Sequence, residues 1–206
     1  IKNYWSKNKL IKRKNIITVA IDSPAAAGAG SQAKLISKHY NLFYLDTGKI
    51  YRYIGLLKIK KKKITYKMVK RKINNINLVD LKNKKLLTNE VAISASKIAK
   101  DKKIRSIVHK FQQKCAYYPP RKYNGSILDG RDIITVQMKD AMFKFYITAS
   151  IIVRAKRRFK EYKDLNYKIT YKEVLKSLKN RDESDKNRKY SPLKKTKDSI
   201  LIISSL

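Results

Sequence analysis

The chain has 206 residues, of which 43% are hydrophobic, so it is long and apolar enough to fold around a sizeable core and is not a disordered protein. Its single Cys excludes a disulfide framework and a cysteine metal site, and no apolar run approaches the roughly 20 residues of a membrane span. Lys and Arg outnumber Asp and Glu by 51 to 15, which gives a net charge of +36.

Two interpretations of this charge are open. Dense Lys and Arg neutralise phosphates, so the chain is a candidate RNA-binding protein. Alternatively, Lys serves as the default polar residue, because only 11 of the 51 basic residues are Arg and the Lys residues are dispersed. Nucleic-acid readers usually depend on the planar fork of Arg. The dispersal favours the second interpretation, so we expect no specific nucleic-acid partner. The single Cys fits a reducing compartment, and we expect a monomer in the cytoplasm.

Strand and helix patterns alternate along the chain. A basic tail, residues 1–14, precedes a core at 15–206. Short apolar runs predict five strands, at residues 16–21, 42–46, 126–132, 142–148 and 199–204. Helical spacing of apolar residues predicts helices after the first two strands, over most of 60–122, after the fourth strand and at 171–188.

Details of three elements are also predicted. Leu35 and Ile36 are expected to face the core from the first helix. Asp46 or Thr47 is available to cap the second helix. Residues 75–87 fit a small strand and turn. The alternation as a whole favours an α/β fold with a parallel sheet, whose ligands bind at the carboxyl ends of the strands.

The first of these carboxyl ends carries the sequence IDSPAAAGAGSQAK, from Ile21 to Lys34. A small-residue loop between a strand and a helix is the layout of a phosphate-binding P-loop. The loop departs from the G-x-x-x-x-G-K-[ST] pattern, because Ser23 and Ala29 stand at the positions of the first Gly and the Lys.

Arginine is concentrated where a ligand is expected. In a chain that otherwise uses Lys, Arg at a strand end or in the two late helices indicates a need for bidentate binding of phosphate or carboxylate. A highly charged substrate, such as two phosphorylated nucleotides, fits this pattern. The residues are Arg52, Arg105, Arg131, Arg154, Arg157, Arg158, Arg181 and Arg188.

Six segments, in this order and at this spacing, resemble the bacterial cytidylate kinase family: SPAAAGAGSQAK, YLDTGKIYR, ASKIAKDKKIR, ILDGRDIITV, ITASIIVRAKRR and RDESDKNRKYSPL. The resemblance implies a P-loop nucleoside monophosphate kinase-like α/β fold with a five-stranded parallel sheet. It implies an inserted, mostly helical acceptor-binding subdomain at 60–122 and a mobile lid at 150–165. The implied reaction transfers the terminal phosphoryl group of ATP to CMP or dCMP, with Mg²⁺.

The resemblance also implies the roles of single residues. The ATP phosphates would be bound by Ser23, Ala26, Gly28, Ala29, Gly30 and Ser31, with Ser31 near the Mg²⁺, and covered by Arg154, Arg157 and Arg158 of the lid. The acceptor nucleotide would be bound by Thr47, Tyr51 and Arg52, its cytosine by Ser96, Arg105 and Asp132, its phosphate by Arg131 and Arg188, and its ribose by Arg181 and Asp185. The candidate catalytic residues are Arg131, Arg188, Arg157 and Lys49.

Chemistry supports the role implied for Asp132, since a carboxylate accepts a hydrogen bond from the N4 amino group of cytosine. An ion pair with Arg131 or Arg105 is the alternative. Phosphoryl transfer itself needs positioning and charge stabilisation rather than a protein nucleophile.

The chain departs from the family at the loop, where Ser23, Ala26 and Ala29 replace Gly, Gly and Lys. The lost charge predicts either a catalytically weak nucleotide-binding relative or a substitute cation. Lys49, which begins the helix after the second strand and is expected beside the strand that feeds the loop, is the first candidate. Lys34 is its rival, and Lys49 as one more Lys of a Lys-rich chain is the plainer interpretation.

Two further departures concern the insert and the ends. The segment NLVDLKNKKLLTNEV is shorter than in many family members, which leaves the preference between CMP and dCMP open. The chain begins with Ile and ends at LIISSL, without the family's final helix, so a fragment is expected.

Overall fold

The computed structural model describes residues 15–61 and 63–205, so the predicted basic tail at 1–14 lies outside the described residues. Five strands form one parallel sheet in the order β2-β3-β1-β4-β5. Their bounds are β1 Ile17–Asp22, β2 Leu42–Asp46, β3 Gly125–Gly130, β4 Phe143–Thr148 and β5 Ile200–Ile203. The five predicted strands and the parallel α/β fold are confirmed.

Helices connect the strands. Their bounds are α1 Ala29–His39, α2 Thr47–Lys60, α3 Tyr66–Asn74, α4 Asn89–Ile98, α5 Lys102–Tyr117, α6 Ile151–Asp164 and α7 Tyr171–Asn187. Side-chain caps define several helix starts because Asp, Ser and Thr accept from the otherwise unpaired first N–H groups. Asp46 caps α2 by accepting from the Lys49 amide at 3.2 Å. Thr170 and Glu173 form a reciprocal capping box at the start of α7.

The chain divides into two compact units. The described part of the first unit covers 15–18, 36–61 and 63–128, and in it α2 packs on α4 and α3 packs on α5. Close approach of backbones requires glycine at one point of this unit, because a Cβ on Gly125 would lie 1.8 Å from the Ile17 carbonyl oxygen. Residue 125 therefore admits no side chain while β3 keeps its position.

The described part of the second unit covers 19–35 and 129–205. Its helices α6 and α7 pack together around a small apolar cluster, formed by Ala25, Ala155, Tyr162, Val174 and Leu178. Ala25 belongs to the loop after β1, so the base of this loop is part of the core of the unit.

Three expectations from the sequence are wrong. Leu35 is 64% exposed, and the buried face of α1 is formed by the small residues Ala29 and Ala33. Residues 75–87 contain two short 3-10 turns, Asp80–Lys82 and Lys84–Leu87, and no strand. The strand before Lys49 is also not adjacent to the strand that feeds the loop, because β3 lies between β2 and β1.

Two further observations concern the helices. Among the described residues, no helix has both the length and the apolar character needed to cross a bilayer. Cys115, on α5, is a buried free thiol, and burial raises its pKa well above the ordinary value.

Gln112 on α5 provides a stability prediction. Its side chain is fully buried, and neither amide atom has a hydrogen-bond partner within the part of the chain that the structure describes. Gln112→Met keeps the shape of the side chain and removes the uncompensated polar group. We expect the free energy of unfolding, measured by urea denaturation, to rise by about 1–3 kcal/mol. The exposed neighbour Gln113 is the control, and equal effects at both positions would contradict the explanation.

Candidate active site

The loop after β1 has the backbone geometry of a tight turn leading into a helix. The amide of Ser23 donates to the Gly130 carbonyl at 3.1 Å, which fixes the start of the loop to the end of β3. Ala26 has a φ of 61° and Gly28 a φ of 90°, both in the left-handed region. α1 begins at Ala29, immediately after this turn. The N–H groups of a helix N-terminus form a favourable environment for an anion.

Two carbonyl groups of the loop are held by side chains from elsewhere in the second unit. Nη1 of Arg154 donates to the Ala25 carbonyl at 3.2 Å, and Oγ of Ser204 donates to the Ala27 carbonyl at 2.6 Å. These two bonds give both carbonyl oxygens a donor and attach the loop to α6 and to the residue after β5.

The three predicted lid arginines all lie on α6 and have different contacts. Arg154 is buried, donates through Nε to the Ala149 carbonyl and pairs with Asp182 at 2.6 Å. Arg157 donates to Oγ of Ser204 at 3.1 Å, and its Nη1 lies 3.6 Å from the point where a Cβ on Gly28 would be. Arg158 pairs with Glu161 of its own helix at 2.9 Å. Arg154 and Arg157 thus brace the loop in this structure.

Three other predicted arginines gather around one carboxylate. Asp185 is 3% exposed, and its Oδ2 accepts from Nε of Arg131 and from Nε of Arg181, both at 3.1 Å. Nη1 of Arg188 lies 3.4 Å from Oδ1. Burial alone would raise the pKa of Asp185, but the three guanidinium groups outweigh it and lower the pKa. Three cations around one anion leave this Asp185 cluster net positive.

The turn after β3 carries Arg131 and Asp132. Nη1 of Arg131 also donates to the Gly130 carbonyl at 3.0 Å, which directs its guanidinium along the turn. Asp132 is 4% exposed and precedes a π-helical turn, Ile133–Gln137. The carboxylate partner of Arg131 in its ion pair at 3.1 Å is Asp185.

The first unit holds the other predicted acceptor residues. Thr47 and Tyr51 are buried at the start of α2. Nη1 of Arg52 donates to the Leu86 carbonyl at 2.7 Å, so this side chain also supports a 3-10 turn. Lys49, on the same helix, has its Nζ 3.9 Å from Oδ2 of Asp46.

Arg105 forms a second group in the first unit. It is 3% exposed, donates through Nη1 to the Ala99 carbonyl at 3.0 Å, and lies over the Tyr51 ring at 5.7 Å. Its Nη2 is 3.3 Å from Nε2 of His109, a residue that the sequence did not connect with the site. Ser96 is half-buried on α4.

Comparison with known proteins decides the family. The model of a family described as "Cytidylate kinase" matches residues 19–206. The chain belongs to the cytidylate kinase family. A protein named cytidylate kinase from Clostridium botulinum (strain Hall) is 40% identical over 92% of this chain and 90% of its own, and one from Clostridium tetani is 40% identical over 90% and 85%. An uncharacterized protein from Eubacterium ventriosum matches by structure with a TM-score of 0.47, 17% identity and coverage of 92% and 89%.

Membership of the cytidylate kinase family makes the unusual loop residues informative. Ala26 stands at a glycine position of the loop pattern and still takes the left-handed φ of 61°. A Cβ disfavours that conformation by about 1–2 kcal/mol. We therefore expect Ala26→Gly to raise the free energy of unfolding by about 0.5–1 kcal/mol, once the greater chain entropy of glycine is subtracted.

Ala27 is the matched control for this substitution. It lies next in the chain, is 1% exposed and is not among the described residues with a positive φ. Ala27→Gly removes a buried methyl group without relieving strain, so its free energy of unfolding should fall. Chemical denaturation of both variants gives opposite signs if the conformation of Ala26 is strained, and the same sign if it is not.

Sequence reasoning missed three residues near these clusters. Ser204 was assigned only to a strand, although it bonds both the loop and Arg157. His109 belongs to none of the six motif segments, the nearest of which ends at Arg105. Asp22, the last residue of β1, is fully buried and contacts the turn that carries Asp132. An acidic residue at the end of an otherwise apolar strand was the available signal for Asp22, because an unpaired carboxylate is costly to bury.

Proposed function

We propose that this chain transfers the terminal phosphoryl group of ATP to CMP or dCMP, giving ADP and CDP or dCDP. The observation that carries the proposal is the match to the cytidylate kinase family over residues 19–206. The net positive Asp185 cluster and the loop after β1 are suited to two phosphorylated nucleotides. No nucleophilic side chain is required, because phosphoryl transfer depends on positioning and charge stabilisation.

The loop residues suit ATP and Mg²⁺. The donor phosphates would be bound by Ser23, Ala26, Gly28, Ala29, Gly30 and Ser31, beside Arg157. Among the described residues no group of three or more His, Cys, Asp or Glu side chains could hold a metal ion. This fits Mg²⁺, which is commonly held through substrate phosphates and few protein ligands. Mg²⁺ would neutralise phosphate charge there, with Ser31 as the nearest protein ligand.

For the acceptor, we assign the phosphate to Arg131 and Arg188 and the ribose to Arg181 and Asp185. Asp185 would keep the guanidinium groups oriented before the substrate binds, which lowers the entropy cost of binding. Asp132 and Arg105 with Ser96 would read cytosine, and Thr47, Tyr51 and Arg52 would complete the acceptor side. We retain residues 60–122 as the acceptor-binding insert and 150–165 as a lid that excludes water.

Ala29 motivates a second candidate function, a nucleotide-binding relative with slow transfer. Although β3 separates β2 from the strand that feeds the loop, we retain Lys49, at the start of α2, as the proposed replacement for the missing cation. If its ammonium stabilises charge on the transferred group, Lys49→Ala lowers kcat by about 30- to 1000-fold, corresponding to 2–4 kcal/mol. Lys34→Ala tests the rival candidate in the same assay, and Lys38→Ala, an exposed Lys of α1 with no assigned role, is the control. Unchanged turnover in Lys49→Ala removes Lys49 from the mechanism.

The direct test measures ADP formation from ATP and Mg²⁺ with CMP, dCMP, UMP and AMP as acceptors. The proposal expects turnover with CMP and dCMP well above UMP and AMP. Binding of CMP and ATP without turnover rejects the proposed transfer and selects the slow relative. Absence of both binding and turnover, in folded protein, rejects the proposal.

The proposal also includes a monomeric enzyme of the cytoplasm. A chain with a single cysteine, and so without a disulfide framework, and the proposed use of ATP fit that location. Size-exclusion chromatography with light scattering tests the oligomeric state, and a mass near twice the 24.0 kDa of the chain would reject a monomer.

A further inference from the structure

Asp22 makes an unusual pair of hydrogen bonds. It is the last residue of β1 and is 0% exposed. Its Oδ1 accepts from the Ile133 amide at 2.8 Å, and its Oδ2 accepts from the Ile134 amide at 3.0 Å. Each carboxylate oxygen therefore holds one backbone N–H of the turn that follows Arg131 and Asp132.

The turn Ile133–Gln137 would ordinarily be capped from within. Asp132 occupies its N-cap position, and Asp is among the residues best suited to that role. Yet the Asp132 side chain makes no capping bond, and its carbonyl accepts from the Val136 amide at 3.0 Å. Asp22 satisfies the first amides instead, from a different strand.

This exchange has a consequence for the proposed acceptor residues. A side chain that caps its own turn is directed back toward the backbone. The Asp132 side chain makes no capping bond, because Asp22 accepts from the Ile133 and Ile134 amides. The amide of Ser23, adjacent to Asp22, also donates to the Gly130 carbonyl at 3.1 Å. The end of β1 thus contacts the Gly130–Ile134 segment on both sides of Arg131 and Asp132.

We propose that Asp22 is a positioning residue, whose carboxylate caps the Ile133–Gln137 turn in place of Asp132 and thereby holds Arg131 and Asp132 ready for the acceptor nucleotide. The inference rests on the proposed function and adds a residue to it. Asp22 does not contact substrate in this role. It acts through the backbone of the turn.

The pKa of Asp22 is that of a fully buried carboxyl group. Burial raises the pKa of Asp22 to about 7, the two amide bonds oppose that rise, and nearby Asp132 adds to it while Arg131 counteracts it. Tyr146 is its register partner in β4, and burial together with the charge of Asp22 raises the pKa of that tyrosine. Such a group is costly to bury and is retained here with both oxygens bonded.

The test compares Asp22→Asn with a matched control. This substitution keeps the size of the side chain but replaces one acceptor oxygen by an NH₂ group, so one of the two turn amides loses its acceptor. Asp198→Asn makes the same chemical change in an exposed residue, whose carboxylate pairs with Lys144. Steady-state kinetics with CMP, UMP and ATP are measured on both variants and on the wild type.

We expect Asp22→Asn to raise the KM for CMP about 10-fold and to reduce the preference for CMP over UMP about 10-fold, the scale of one good base contact. The KM for ATP should stay within about 2-fold, and Asp198→Asn should match the wild type. A merely structural role lowers the amount of active enzyme and leaves KM values and the CMP preference unchanged, so that result overturns the inference.

A second measurement does not depend on the variant. Hydrogen exchange of the wild-type Ile133 and Ile134 amides should be slow, and exchange at unprotected rates overturns the capping role. A wild-type enzyme without CMP turnover rejects the proposed function. A wild type that turns CMP over, with Asp22→Asn identical to it in KM and CMP preference, rejects only the role of Asp22.

Discussion

Asp185→Asn is expected to lower the free energy of unfolding by about 3 kcal/mol and to reduce kcat/KM for CMP at least about 100-fold. Removing one partner of a buried ionic cluster leaves the remaining charges uncompensated, which costs roughly 3–5 kcal/mol when burial is complete. The expected loss of unfolding free energy is at the low end of this range, since the side chains of Arg131 and Arg181 are about one fifth exposed. The loss of activity follows because Arg131 and Arg188 lose their common anchor.

Asp182→Asn is the matched control on the same helix. Asp182 pairs with Arg154 of α6 at 2.6 Å, whereas the Asp185 cluster is formed by Arg131, Arg181 and Arg188. Its substitution should also destabilise the protein but leave the KM for CMP unchanged. Urea denaturation and CMP kinetics on both variants separate the two effects. An unaltered CMP affinity in Asp185→Asn would show that the cluster is only structural.

A rise in pH from 5 to 8 is expected to reduce the free energy of unfolding of the wild type by about 2–3 kcal/mol relative to Asp22→Asn. The folded-state pKa of Asp22 is raised from 3.8 to about 7. A carboxyl group with a raised pKa binds more protons in the folded state than in the unfolded state. Its contribution is fully present below about pH 4 and is lost as the pH passes through about 7.

The comparison with the variant isolates this contribution, because all other groups titrate in both proteins. Asp185 and Asp198 have lowered pKa values, so their contributions are lost only as the pH falls toward the acid range. Thermal or urea unfolding at pH 5, 6, 7 and 8 provides the measurement. Parallel stability curves for the wild type and Asp22→Asn would mean that Asp22 is ionised throughout this range.

The strands were predictable because each contains a short apolar run with polar residues beside it. β1 and β3, which meet at the start of the loop, are also almost fully buried. Helix faces were less predictable. Leu35 looks like a core residue in isolation, but α1 packs through Ala29 and Ala33, which leaves Leu35 exposed and Ile36 half-buried. Residues 75–87 were predicted to form a small strand and turn, because Leu78, Val79 and Leu81 are apolar. The same spacing of apolar residues also fits the 3-10 turns that the structure contains.

For the candidate site, the arginines were predictable and their arrangement was not. Motif spacing identified Arg131, Arg181 and Arg188, but only the folded chain brings them to one carboxylate. Contacts such as Asp22 with Ile133 join residues 111 positions apart through the backbone, which carries no side-chain signature in the sequence. The same holds for Ser204 and Ala27, separated by 177 positions.

Labelling of Cys115 can report local unfolding of the chain. It is the only thiol of the protein, lies fully buried on α5, and has a pKa that burial holds well above its ordinary value. Reagents attack the thiolate, so a native molecule should resist modification at neutral pH. The rate of labelling under native conditions then measures how often the first unit exposes α5. A chromogenic thiol reagent can follow this local unfolding without an introduced probe.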